Sequence, residues 1–216
     1  MGCSEGIGHM DCPRVKICGI TTVEDGLHAA RCGADALGLV FYAKSSRCVT
    51  AEQARRIVAA MPPLVTTVGL FVNHPAREIA DIARFCGLDV LQLHGDETPE
   101  QCQLPPWRVI KALRVRDQQS LADFAAYRVS GMLLDAWQAD SYGGTGHRFN
   151  WQLAVQAAQQ RSIILAGGLT PANVAEAVKT VRPYAVDVSS GVESAPGRKD
   201  PELVAAFIRN AKQFTE

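Results

Sequence analysis

Eight short apolar or β-branched runs, each followed by a longer segment, recur along the chain, and this alternation restricts the available folds more than any other feature. The runs are Val15 to Cys18, Ala36 to Phe41, Val65 to Val72, Val90 to Leu93, Val109 to Leu113, Gly131 to Asp135, Ile163 to Ala166 and Ala185 to Val188. Between them the spacing predicts helices over Val23 to Cys32, Ala51 to Ala60, Ala76 to Cys86, Trp151 to Gln159, Ala172 to Thr180 and Glu202 to Lys212. A short fourth helix is expected after Thr98 and Pro99. Thr50, Asn150, and Thr170 with Pro171 at the first helical position read as helix starts. Strands joined through helices pair in parallel, and eight such units in about 200 residues fit a single (β/α)8 barrel better than an open doubly wound sheet. The barrel is expected over residues 14–216. The opening MGCSEGIGH precedes a second methionine, Met10, and shows no periodicity, so residues 1–13 read as a disordered or tag-like extension.

The bulk properties then exclude several classes of function. Lys and Arg total 22 and Asp and Glu total 22, so no net field favours nucleic acid or an anionic membrane, and an anion site must be local. No apolar run approaches the roughly 18 residues of a membrane span, and no secretory signal precedes Met10, which points to a cytoplasmic protein. The seven cysteines follow neither CxxC nor Cys/His metal spacing, so neither a disulfide framework nor a metal site is expected.

In a (β/α)8 barrel the chemistry sits at the C-terminal ends of the strands. Period-two alternation in RVKICGIT puts Val15 and Ile17 on one face and Lys16 and Cys18 on the other. With the apolar pair against the helices, Cys18 points into the barrel mouth, where it is either a small buried hydrophobe or a thiol with a task. The same alternation in GMLLDA places Asp135 on the inner face at the rim. The following stretch, AWQADSYGGTGHRFNW, is long for a compact barrel and reads as a lid over Trp137 to Arg148, hinged at Gly143, Gly144 and Gly146. LAGGLTPANV and VDVSSGVE end the seventh and eighth runs in small residues, where barrels commonly bind phosphate; Gly167, Gly168, Ser190 and Gly191 are the candidates. Arg47, after the second run, has the planar donors that match a carboxylate, unless it is an ordinary surface arginine. LQLHGDE directs Gln92 and His94 to the mouth, with a structural role favoured for the histidine.

Together, VKICGIT, LQLHGDE, LLDAW with GGTGHRFNW, LAGGLTPANV and VDVSSGVE resemble the phosphoribosylanthranilate isomerases of tryptophan biosynthesis, in order from about Arg14 to the C-terminus. The resemblance implies an Amadori rearrangement of an aminoaldose phosphate to an aminoketose phosphate, with no cofactor and no metal. It implies a small phosphosugar substrate, no nucleic-acid or membrane partner, and a monomer or homodimer. Matched motif by motif, Cys18 falls on the family's general base, Asp135 on its general acid, Arg47 on the arginine that meets the anthranilate carboxylate, and the glycine and serine loops on the phosphate site. Gln92, His94 and Asp187 are further candidates for substrate contact. Two departures stand out: Ser46 where relatives often have Pro or Lys, and Asn150 where they have Asp. The alternatives are another phosphosugar isomerase or epimerase barrel, which Cys18 in the first strand disfavours, and a non-catalytic phospholigand barrel, which Cys18 and Asp135 together argue against.

Overall fold

The computed structural model describes residues 12–136 and 151–213. Strands β1 (Arg14–Cys18), β2 (Ala36–Val40), β3 (Thr66–Phe71), β4 (Val90–Leu93), β5 (Arg108–Val115), β6 (Gly131–Ala136), β7 (Ile163–Leu165) and β8 (Ala185–Val188) close in sequence order into one barrel. Every neighbouring pair is parallel, and β8 pairs back onto β1 through Arg14↔Ala185 to Ile17↔Val188. Helices α1 (Val23–Arg31), α2 (Ala51–Ala60), α3 (Ala76–Cys86), α4 (Trp151–Ala158), α5 (Val174–Val181) and α6 (Pro201–Lys212) pack outside it. The expected (β/α)8 barrel is the fold.

Strand alternation separates two apolar layers, as the sequence pattern requires. Val15, Ile17, Leu37, Leu39, Leu91, Leu93, Met132, Leu134, Leu165 and Val186 face outward and merge with the inner faces of the helices into the main core. Inside the barrel, Ala112, Leu133, Ile164, Ala166 and Ala185 form a second cluster, while Cys18, Val40, Leu70 and Val72 form a third. The middle of the barrel is therefore packed, and the strand ends and loops above it form the end where chemistry is expected.

Local signals set most element ends. Thr50 and Gln53 form a capping box on α2, the Thr50 hydroxyl accepting from the Gln53 N–H at 3.2 Å and the Gln53 Oε1 accepting from the Thr50 N–H at 2.9 Å. Asp200 caps α6 through the N–H groups of Glu202 and Leu203, with Pro201 at the first helical position. Two expectations need correction. No fourth helix forms after β4: Thr98 and Gln101 cap a single turn, and Pro105 and Pro106 stop it before it can propagate. α5 starts at Val174 instead of Ala172, because the Asn173 side chain bonds the Thr170 N–H and the Gly168 carbonyl and holds residues 171–173 in a turn. The β5 to β6 connection likewise carries two 3-10 turns, Gln118–Leu121 and Phe124–Ala126, and no α-helix. Asn150, the expected cap of α4, lies outside the described residues.

Leu133 is fully buried in the inner layer. Leu133→Ala should cost about 2 to 5 kcal/mol, because the closed sheet cannot collapse onto the lost volume. Urea denaturation should show a lowered midpoint with the slope unchanged.

Candidate active site

Barrel closure converts scattered strand ends into one concave site. A single pocket at the C-terminal end of the barrel is lined by Cys18 from β1, Arg47 from the loop after β2, Gln92 and His94 at the end of β4, Asp135 from β6, Gly167 and Gly168 after β7, and Asp187, Ser190 and Gly191 from β8 and its loop. Every described residue named in the sequence as a candidate for catalysis or binding thus lines the same cavity. Gly143, Gly144 and Gly146, with the expected lid over Trp137 to Arg148, lie outside the described residues.

Cys18 is buried and ends β1 opposite Gly38 of β2. A β-carbon placed on Gly38 would lie 2.7 Å from the Cys18 Sγ, so only glycine leaves the sulfur its space. Burial pushes the Cys18 thiol above its ordinary value; Lys16 works against this, Asp187 adds to it and Lys199 opposes it. The next residue, Gly19, has a positive φ of 79°, and a β-carbon there would run into the Arg47 stem. Glycine is required at that position twice over, once by the backbone and once by the arginine lying across it.

Asp135 sits across the mouth, 5% exposed, with its Oδ2 3.3 Å from the His94 Nε2. That contact is an electrostatic approach without hydrogen-bond alignment, and His94 Nε2 and Gln92 Oε1 are buried polar atoms with no hydrogen-bond partner among the described residues. On the other side of the ring, the Gln92 Nε2 donates to the His94 Nδ1 at 3.0 Å, which holds the imidazole edge-on to Asp135. Among the described residues, His94 therefore has one ring nitrogen bonded and one without a hydrogen bond.

The His94 loop is held from below by a buried ion pair that sequence reasoning missed. The Lys111 Nζ donates to Glu97 Oε2 and to the Gly95 carbonyl, both at 2.7 Å. Glu97 in turn accepts from the Asn73 N–H at 2.8 Å and the Gly95 N–H at 2.9 Å. Lys111 alternates with the inward-facing Ile110 and Ala112 and so lies on the outer face of β5, against Tyr127; a lysine in an otherwise apolar run was the available signal.

Arg47 was expected to present its guanidinium to a carboxylate, and in the structure it already grips one. Its Nε and Nη2 donate to the two Glu193 oxygens at 2.8 and 2.7 Å. Glu193 opens a hairpin of β9 (Glu193–Ala195) and β10 (Arg198–Lys199), and the Lys199 Nζ donates to the same carboxylate at 2.9 Å. Burial pushes the Glu193 carboxyl up, but the hydrogen bonds and charges of Arg47 and Lys199 outweigh it and hold the group below the usual range. At the hairpin tip the Gly197 carbonyl accepts from the Thr21 hydroxyl at 2.6 Å, and a β-carbon on Gly197 would lie 2.9 Å from the Ser46 carbonyl, so glycine lets the hairpin pack close to the loop carrying Ser46 and Arg47. Ser46 itself is exposed.

The loops after β7 and β8 abut. A β-carbon at Gly191 would collide with the Leu169 carbonyl, so glycine is what allows the two segments to meet. Gly167 and Gly168 both have positive φ, 84° and 67°, and Asn173 ties the Gly168 carbonyl down at 2.9 Å. Among the described residues, the N–H groups of Gly168, Ser190 and Gly191 donate to no protein acceptor.

Comparison with known proteins decides between the phosphosugar barrels. Residues 15–210 match the family model of N-(5'phosphoribosyl)anthranilate (PRA) isomerase. The chain belongs to this isomerase family. It is 59% identical over 199 residues to the N-(5'-phosphoribosyl)anthranilate isomerase of Geobacter sulfurreducens, an alignment covering 92% of this chain and 98% of the relative. Its fold is similar to the crystal structure of phosphoribosyl anthranilate isomerase from Thermotoga maritima, with a TM-score of 0.87, 44% identity and coverage of 92% and 98%. A second solved isomerase, in complex with reduced 1-(o-carboxyphenylamino)-1-deoxyribulose 5-phosphate, is similar at a TM-score of 0.84, 44% identity and the same coverage. Membership makes the chain an enzyme, a TIM-barrel isomerase of tryptophan biosynthesis. Among the described residues no helix is long and apolar enough to cross a membrane.

Lys111→Met should be among the most destabilising changes near the site, because it leaves Glu97 buried and unpaired; a loss of about 3 to 5 kcal/mol is expected. Chemical denaturation measures it. Lys111→Met combined with Glu97→Gln should recover part of that loss, whereas strict additivity would show that the two side chains do not interact.

Proposed function

We propose that the chain converts N-(5'-phosphoribosyl)anthranilate to 1-(2-carboxyphenylamino)-1-deoxyribulose 5-phosphate, with Cys18 as general base and Asp135 as general acid. The observation that carries the reading is the order of groups around the ring. Asp135 stands on β6 and Cys18 on β1, and between them lie the small-residue loops after β7 and β8. A phosphate held by the backbone N–H groups of Gly168, Ser190 and Gly191 places the attached sugar between acid and base.

The chemistry divides along the same line. Opening the furanose ring needs a proton on the ring oxygen, which Asp135 delivers, leaving a Schiff base at carbon 1. His94 is the neighbouring titratable side chain on that side of the pocket. The Cys18 thiolate then removes the proton from carbon 2, giving an enolamine that tautomerises to the aminoketone. No step calls on a metal or an organic cofactor.

Arg47, beyond Cys18 on the β2 side, suits the anthranilate carboxylate. Glu193 engages its Nε and Nη2 from one edge, which leaves Nη1 and the second Nη2 proton for a ligand on the other. Glu193 thus aims the arginine, and Lys199 keeps Glu193 ionised and in place. Asp187 and Gln92 lie deeper, below the sugar.

Two sets of variants test this, both followed by loss of the substrate's anthranilate fluorescence. Cys18→Ala and Asp135→Asn should each lower turnover at least about 100-fold, the low end for a positioned acid or base, with the fold retained. Near-normal turnover in either variant removes that residue from its role.

For the carboxylate contact, Arg47→Ala should reduce kcat/KM by roughly 10- to 150-fold, and lysine should restore only part of it. Glu193→Gln should raise KM about 5-fold while leaving kcat nearly unchanged, since it loosens the aim without removing the donor. An effect of Glu193→Gln on kcat alone would contradict the assignment.

A further inference from the structure

The floor beneath Cys18 is ionic. Lys16, two residues earlier on the same face of β1, is 3% exposed, and its Nζ donates to Asp187 Oδ1 at 2.8 Å. The two residues are direct partners in the β1–β8 ladder. Sulfur and ammonium share one small space above Gly38: a β-carbon placed there would lie 2.7 Å from the Cys18 Sγ and 3.1 Å from the Lys16 Nζ. The arc of the same interior from β5 round to β8 is closed by Ala112, Leu133, Ile164 and Ala185, so apolar packing fills such positions in this barrel. An ion pair here adds little to stability that apolar groups would not, since desolvating both charges offsets most of their attraction. Its location directly under the pocket sulfur calls for another reason.

We infer that Lys16 is a positioning residue for the isomerisation: its buried ammonium, anchored by Asp187, is the charge against which the Cys18 thiolate forms. The inference deepens the reading of Cys18 as the base and rests on it. When the thiol ionises, its proton leaves to solvent through the open mouth and the negative charge stays on sulfur, facing the ammonium. Burial alone would keep the thiol protonated, and Lys16 is the leading influence in the other direction. The remaining charges around the sulfur are Asp187 on β8, which opposes ionisation, Lys199 on β10, which favours it, and Arg47 after β2; Asp135 and His94 stand across the mouth. Lys199 and Arg47 are both engaged by Glu193, so neither is free to turn toward the sulfur. Lys16 is different because its own value is held up at about 12: burial lowers it, but Asp187 and Cys18 together raise it more. It remains charged throughout the working range, and a pH profile there reports the thiol and not the lysine.

The sign follows from the chemistry. The base is active as thiolate, so kcat/KM rises with pH along an acidic limb set by Cys18, and removing the ammonium must move that limb upward. The test measures this limb and, separately, the pH dependence of Cys18 alkylation by iodoacetamide, with the Cys18 peptide identified by mass spectrometry because the chain has seven cysteines. Lys16→Met should shift both midpoints up by one unit or more, which at neutral pH means a loss of about 10-fold or more that is regained at high pH. Lys16→Arg should keep both midpoints near the original. Lys16→Met with Asp187→Asn removes both charges, should still shift both midpoints upward but by less, because Asp187 itself opposes ionisation, and serves if the single variant does not fold. An unmoved alkylation midpoint with a uniform fall in kcat/KM at every pH overturns the inference and leaves Lys16 a purely structural residue. A shifted alkylation midpoint with an unshifted kinetic limb overturns the underlying reading of Cys18 as the base while the coupling between lysine and thiol stands.

Discussion

Closure of the parallel sheet is the constraint on which everything else depends. Once β8 pairs with β1, every strand residue must face either the helices or the barrel axis, and the axis has room for few side chains. The apolar sets of β1, β2, β6 and β8 can be satisfied only by facing outward, and this forces Lys16, Cys18, Gly38, Asp135 and Asp187 inward together. The site is thus a by-product of how the core is divided: residues hundreds of ångströms apart in an extended chain are brought together because their neighbours are apolar.

The interior is unequal around its circumference. From β5 to β8 it is lined by Ala112, Leu133, Ile164, Ala166 and Ala185. Near β1, β4 and β8 it holds Lys16, Gln92 and Asp187, with Lys16 paired to Asp187 and Gln92 bonded to His94. Buried charge is tolerated there because the Lys16 ammonium is met by the Asp187 carboxylate, an attraction that offsets the desolvation of both. The same arrangement leaves the two loops after β7 and β8, with no charged side chain of their own in the pocket lining, to receive an anion through backbone donors alone.

The fold and the placement of Cys18, Asp135, Gln92, His94 and the glycine loops were legible because each sits on a strand end or directly after one, where period-two alternation specifies direction. What was not legible are contacts closed by the tertiary fold. Arg47 and Glu193 are 146 positions apart, and the hairpin that brings them together has strands of only three and two residues, too short for any periodic signal. Lys16 was placed on the inner face with Cys18, but its partner Asp187 lies 171 positions away. The fourth helix was over-read because the Thr98 start signal is genuine and only the prolines downstream cancel it. The start of α5 was misplaced because Asn173 serves the preceding loop ahead of its own helix.

The connections after β4 and β5 also make the barrel unevenly fastened. Elsewhere the outer face of the sheet is sealed by an α-helix, whose internal hydrogen bonds must break before the strand beneath is uncovered. Over β4 and β5 the cover is Leu104, Trp107, Phe124 and Tyr127, side chains carried on turns and 3-10 segments. Such segments open at lower free energy than a packed helix. Amide hydrogens of β5 should therefore be the first of the barrel strands to exchange with solvent, and the ion pair of Lys111 and Glu97 serves as a clamp at the seam where local unfolding would otherwise begin and reach His94.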